Sequence, residues 1–145
     1  MMNAKPNTRG RRQDRKGRSK RGDRFLKLNH YMLESVAWRS LKTRSRALYV
    51  LLAQRYNGSN NGDIFLSIRD SAHELHIAKD TATKSFRELE DKGFIRAQQK
   101  GSFHWKRRHA TTWFLTEHAF GNELATKDFM RWRAGDEKAG PKRRT

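Results

Sequence analysis

The chain has 145 residues, no cysteine, and 33 Lys plus Arg against 15 Asp plus Glu, for a formal net charge of +18. That length fits one domain with tails and excludes a large multidomain enzyme, and the lack of cysteine excludes disulfides, thiolate metal sites, iron–sulfur clusters and cysteine nucleophiles. No run approaches the roughly 20 apolar residues that span a bilayer and no apolar leader follows the start, so a soluble cytoplasmic, nucleoid-associated protein without a membrane partner is expected.

Residues 1–24 carry ten basic and two acidic residues and almost nothing apolar. Such a segment repels itself and has no core to bury, which predicts a disordered arm. Arg11, Arg12, Arg15, Lys16, Arg18, Lys20 and Arg21 are its candidate phosphate contacts, because cations that displace condensed counterions give sequence-independent, salt-sensitive affinity for DNA or RNA. A purely solubilising tail is the bland alternative. Residues 135–145 form a shorter basic tail of the same kind, leaving 25–134 as the folded domain.

Phe25 to Leu41 reads as a lead-in and one helix, with Leu33, Val36, Ala37 and Leu41 three or four apart and Trp38 at an edge. Thr43 reads as the N-cap of a second helix, Arg44 to about Tyr56, whose apolar stripe is Leu48, Leu51, Leu52 and Tyr56. The dipeptides Asn57-Gly58 and Asn61-Gly62 then demand a sharp loop.

Ile64 to Leu66 is long enough for one short strand. Ser67 and Asp70 form a capping-box variant that opens a short helix, Ile68 to Leu75, with Ile68, Ala72 and Leu75 buried. A turn, His76 to Lys79, leads to a helix over about 79–92 in which Ala82, Phe86 and Leu89 face inward and Gly93 supplies an αL cap. On that helix Lys79, Asp80, Thr83, Lys84 and Arg87 turn outward. Past Gly93 the period falls to two. Phe94 to Ala97 and Thr111 to Thr116 predict two strands of a hairpin whose tip, about 100–110, carries Lys106, Arg107 and Arg108 beside Phe103 and Trp105. Thr126 is a candidate cap for a last short helix bearing Phe129, Met130 and Trp132. Trp38 and Trp132, outside the stripes, suggest a homodimer surface.

Taken together the fold class is mainly α with a small β-hairpin (α+β). Phe65-Leu66-Ser67, Ala72 with Leu75, Thr81-Ala82 and the run Phe86 to Ile95, with its Leu-x-x-x-Gly-Phe-Ile exit, resemble the winged helix-turn-helix family over about residues 44–116. Tyr56-Asn57-Gly58, Asn60-Asn61-Gly62 and Trp113 to Thr116 resemble small helix-turn-helix proteins of bacterial plasmids, phages or integrated mobile elements. Ala78, where the family more often has Ser or Thr, and the long basic arm depart from the pattern.

The resemblance implies sequence-specific binding of double-stranded DNA, with the third helix in the major groove and the wing on the backbone or an adjacent minor groove. It further implies a role in transcription, replication or recombination of such an element. Arg87 and Lys84 have the chemistry to donate to guanine, Thr83 to meet a thymine methyl or a phosphate, and Asp80 to accept from cytosine or cap its helix. Lys106, Arg107 and Arg108 are clamp candidates. Structured-RNA binding and protein docking within a replication or excision complex are the alternatives. No catalytic constellation is present: His73 with His76 and His104 with His109 lack a His-Glu-x-x-His frame, and there is no serine elbow or phosphate-binding Gly-Lys-Ser/Thr loop. Neither enzyme activity, a metal nor a cofactor is expected.

Overall fold

The computed structural model describes residues 24–99, 103–104, 107–108 and 111–136, and only the backbone of 99, 103, 104, 107 and 108. In chain order it contains α1 (His30–Leu33), α2 (Val36–Ser40), α3 (Thr43–Arg55), β1 (Ile64–Phe65), α4 (Ile68–Glu74), α5 (Lys79–Asp91), β2 (Ile95–Gln99), β3 (Phe103–His104), β4 (Arg107–Arg108), β5 (Thr112–Leu115) and a closing 3-10 turn, Asp128–Met130. This is an α+β chain, helices joined to a three-stranded antiparallel sheet of order β1-β5-β2.

The single helix expected before Leu41 is two helices. Ser35 takes an extended conformation between them, donates its hydroxyl to Met32 O at 2.6 Å and accepts from Trp38 N at 3.1 Å. One serine thus closes α1 and caps α2, which a spacing of apolar residues does not register. As a result Val36 stands 52% exposed, and Trp38 is buried edge-on to Tyr49 and Phe94, at 5.5 and 5.7 Å between ring centroids. α3 begins at Thr43, so Lys42 and not Thr43 holds the cap position. Leu48, Leu51 and Leu52 are buried as the stripe predicts; Tyr49 joins them, and Tyr56 is only half-buried, stacked on His118.

Tyr49 is buried against a carboxylate. Its hydroxyl donates to Glu117 Oε2 at 3.1 Å, and Asn29 and Tyr31 donate to Glu117 Oε1, so the lead-in to α1 is fastened to the chain leaving β5. Burial, then the Glu117 charge, push the Tyr49 hydroxyl well above its ordinary pKa. The loop after α3 turns at Gly58 and Gly62, with φ of +100° and +93°. Asn61 pins it by accepting from Leu115 N at 2.8 Å and donating to Leu115 O at 3.1 Å.

At the start of α4, Asp70 N donates to Ser67 Oγ at 3.0 Å, while the Asp70 carboxylate accepts from the Ser67 hydroxyl at 2.7 Å and not from a backbone amide. Ser71 and Ala72 are its buried residues; Ile68, expected inside, is 40% exposed, and Leu75 is half-buried. The displaced position is Ser71, whose hydroxyl is satisfied by Ile68 O at 2.9 Å and can therefore face the core.

α5 buries Ala82, Ser85, Phe86 and Leu89. It ends in a Schellman motif: Phe94 N donates to Leu89 O at 2.9 Å and Gly93 N to Glu90 O at 3.0 Å, with Gly93 at φ +82°. The chain passes straight into β2, which pairs with β5 in the register Ile95↔Leu115, Arg96↔Phe114, Ala97↔Trp113. Ile64 of β1 lies opposite Trp113 on the other side. Trp113 stacks on Phe86 at 4.8 Å and donates its indole N–H to Leu66 O at 3.1 Å, so one ring joins the sheet to α5 and to the start of α4.

The hairpin is more regular than a loop over 100–110. β3 pairs with β4, Phe103↔Arg108 and His104↔Arg107, as a separate two-stranded sheet. The final helix is also shorter than expected and Thr126 does not cap it; Lys127, at φ +47°, precedes the 3-10 turn. Phe129 is buried there and stacks on Phe94 at 5.0 Å. Trp132 is buried as well, so neither it nor Trp38 offers the dimer surface expected of them.

Candidate nucleic-acid interface

α5 has two unlike sides because its apolar residues are three and four apart. At about 100° per residue, Lys79, Asp80, Thr83, Lys84 and Arg87 share one arc of about 140° that begins about 20° from the buried Phe86, while the buried Ala82 and Leu89 lie farther round. Lys79, Asp80, Lys84 and Arg87 are exposed and Thr83 is half-buried. All five expected residues therefore share one face.

Their states differ. Thr83 donates its hydroxyl to Lys79 O at 3.0 Å, which leaves its methyl group and an oxygen lone pair for a ligand. Lys84 and Asp80 form an exposed pair at 2.8 Å, of the kind that contributes little and yields readily to a stronger partner. Arg87 has no ion-pair partner among the described residues. The acidic residues Glu90 and Asp91 lie toward the C-terminal end, so the cationic part of the face is its N-terminal two turns and Arg87.

The flank of α5 that borders this arc and faces α3 is anchored. Glu88 accepts from the Ser45 hydroxyl, from Lys42 N at 3.4 Å and from Lys92 Nζ at 3.0 Å. Lys92 is buried, also donates to Ser40 O at 3.1 Å, and lies 5.0 Å from the Trp132 ring centroid. Burial raises the Glu88 carboxyl, but the hydrogen bonds from Ser45 and Lys92, the Lys92 charge and the Lys42 amide outweigh it and hold its pKa below the ordinary value. With Phe86 against Trp113 on one side and Glu88 against α3 on the other, the outward arc has a fixed orientation, as a reading surface requires.

Between the first turn of α3 and α5 lies a groove of about 560 Å³ whose lining includes Lys42, Arg44, Lys84, Arg87 and Asp91. Spacing along the sequence does not bring Lys42 and Arg44 into the site, since the residues they face come much later in the chain. A local signal did exist. α3 has no acidic residue in its first turn, and cations there oppose the helix dipole.

The other expected contacts stand less fully described. β4 places Arg107 and Arg108 on the hairpin by backbone alone, while Lys106 and the arm residues Arg11, Arg12, Arg15, Lys16, Arg18, Lys20 and Arg21 lie outside the described residues. Among the described residues no three His, Asp or Glu side chains converge as metal ligands, and no helix is long and apolar enough to cross a membrane.

Compared with known proteins, the chain matches no family model, no curated protein and no solved structure. What defines its class is the α+β architecture itself.

Proposed function

We propose that this protein is a winged helix-turn-helix protein that binds double-stranded DNA sequence-specifically. In this reading α4 and α5 are the helix-turn-helix, α5 enters the major groove, and the β2–β5 hairpin is the wing. The observation that carries the proposal is the outward arc of α5, where Lys79, Lys84 and Arg87 are exposed, Thr83 is half-buried beside them, and Arg87 has no ion-pair partner among the described residues. A helix with its side chains is about 10–12 Å across and the major groove about 12 Å wide. Arg87 and Lys84 then supply base-edge donors, while the cationic arm and hairpin supply phosphate contacts that set affinity without setting sequence. As the sequence resemblance implies, the role is regulation of transcription, replication or recombination of a bacterial mobile element.

Selection of bound duplexes from a random library at two salt concentrations tests the proposal. A recurring motif at both concentrations is expected. Recovery of unrelated sequences, alongside tight binding of a folded RNA, would replace it with the RNA reading.

A further inference from the structure

We infer that the groove between the first turn of α3 and α5 holds one phosphodiester of the bound duplex, beside the bases that α5 reads. The inference rests on the DNA-binding reading and adds Lys42 and Arg44 as backbone contacts. Lys42, Arg44, Lys84 and Arg87 converge on this groove. Two carboxylates also border it, Glu88 and Asp91. Glu88 is already committed to Lys92, with side chains 15% and 6% exposed. Its charge is therefore matched inside the fold and does little to offset the groove. Lys84 is paired with Asp80, but their side chains are 72% and 77% exposed, where screening makes that partner easily exchanged. Lys42, Arg44 and Arg87 have no ion-pair partner among the described residues. Among the described residues lining the groove, Asp91 is the carboxylate left to offset the cations, and an excess of like charge in a concave site is relieved by an anion.

α3 adds a second, independent reason. Its first turn carries Lys42 at the cap position and then Arg44, with no acid, at the positive end of a helix of 13 residues. That placement disfavours the free helix, and an anion at the same end reverses the sign of the effect. The anion is a phosphodiester of the duplex because Lys84 and Arg87 line both the groove and the outward arc. When a helix fills the major groove, the strands bordering that groove run along its flanks. The flank on the α3 side is where Lys42 and Arg44 wait.

The test uses the full chain and the selected duplex, comparing wild type with a Lys42→Ala/Arg44→Ala double variant. Both residues are exposed, so the melting temperature should be kept. Affinity is measured across a salt series and on duplexes carrying a single neutral methylphosphonate moved along each strand. The double variant should lower the magnitude of the log affinity against log salt slope by about 0.9, one phosphate contact. It should leave the motif unchanged and lose the response to one methylphosphonate position that weakens wild type. Arg44→Gln alone should reduce the slope in the same direction, which keeps the test open if the double variant melts early. An unchanged slope with the same methylphosphonate response in both proteins would overturn the groove assignment while a selected motif still upheld DNA reading. Absence of any motif for wild type would instead remove the reading and this inference together.

Discussion

Glu88 and Lys92, one turn apart on α5, form an ion pair at 3.0 Å that is almost wholly withdrawn from solvent. A pair at this spacing on an open helix contributes a few tenths of a kcal/mol, about 0.3 to 0.5. Here the same pair joins three helices, because Glu88 also takes hydrogen bonds from Ser45 and Lys42 and Lys92 also donates to Ser40. Removing the carboxylate would strand a buried ammonium. Glu88→Ala should therefore destabilise the protein by about 3 kcal/mol in urea denaturation. A loss under about 0.5 kcal/mol, the level of an ordinary surface substitution, would mean that the contact is incidental.

The same carboxylate sets an acid limit. Its pKa is lowered in the folded chain, so the stability it contributes is present above the ordinary carboxylate value, about 4.3, and is lost as pH falls through the lower folded value. Wild type should accordingly lose stability between about pH 5 and pH 3 more steeply than Glu88→Gln. Urea midpoints across that range measure it, and parallel curves would contradict the assignment.

Gly93 and Gly58 both adopt positive φ, but only Gly93 has neighbours. A Cβ there would lie 2.8 Å from backbone atoms of Asp128 and Phe129, whereas at Gly58 nothing lies within 4 Å. Backbone strain of about 1 to 2 kcal/mol applies at both positions. Gly93→Ala should exceed Gly58→Ala by more than about 1 kcal/mol, since overpacking adds to strain. Equal losses in thermal melts would show that the 128–129 segment yields freely.

Much of this was legible in the sequence where a residue's role is local. Ala82, Phe86 and Leu89 with Gly93 fixed the faces and the end of α5, and the alternation in Thr112–Leu115 fixed a strand. What escaped depends on side chains that act against their usual type or across distance. Ser35 broke a helix whose apolar spacing was continuous, Lys92 was buried although charged, and Trp38 and Trp132 packed inward where a lack of stripe position had suggested a surface. Lys42 and Arg44 entered the candidate site only because α3 and α5 meet there.

The arm carries a separate expectation. Deleting residues 1–24, which hold ten basic residues, should weaken selected and unrelated duplexes by similar factors and flatten the salt slope. An unchanged slope in binding titrations would exclude those residues as phosphate contacts.

Base reading by α5 is tested most directly by repeating the random-library selection with Arg87→Ala and Lys84→Ala. Both side chains are exposed, so the fold should hold within about 0.5 kcal/mol, whereas Phe86→Ala, which removes a buried ring, should cost roughly 3 to 5 kcal/mol. A bidentate base contact is worth about 1 to 3 kcal/mol of discrimination, and a phosphate contact affects every sequence alike. Arg87→Ala should relax one or two positions of the motif while nonspecific affinity falls only slightly. If both variants recover the wild-type motif unchanged at every position, α5 does not read bases and the central claim fails.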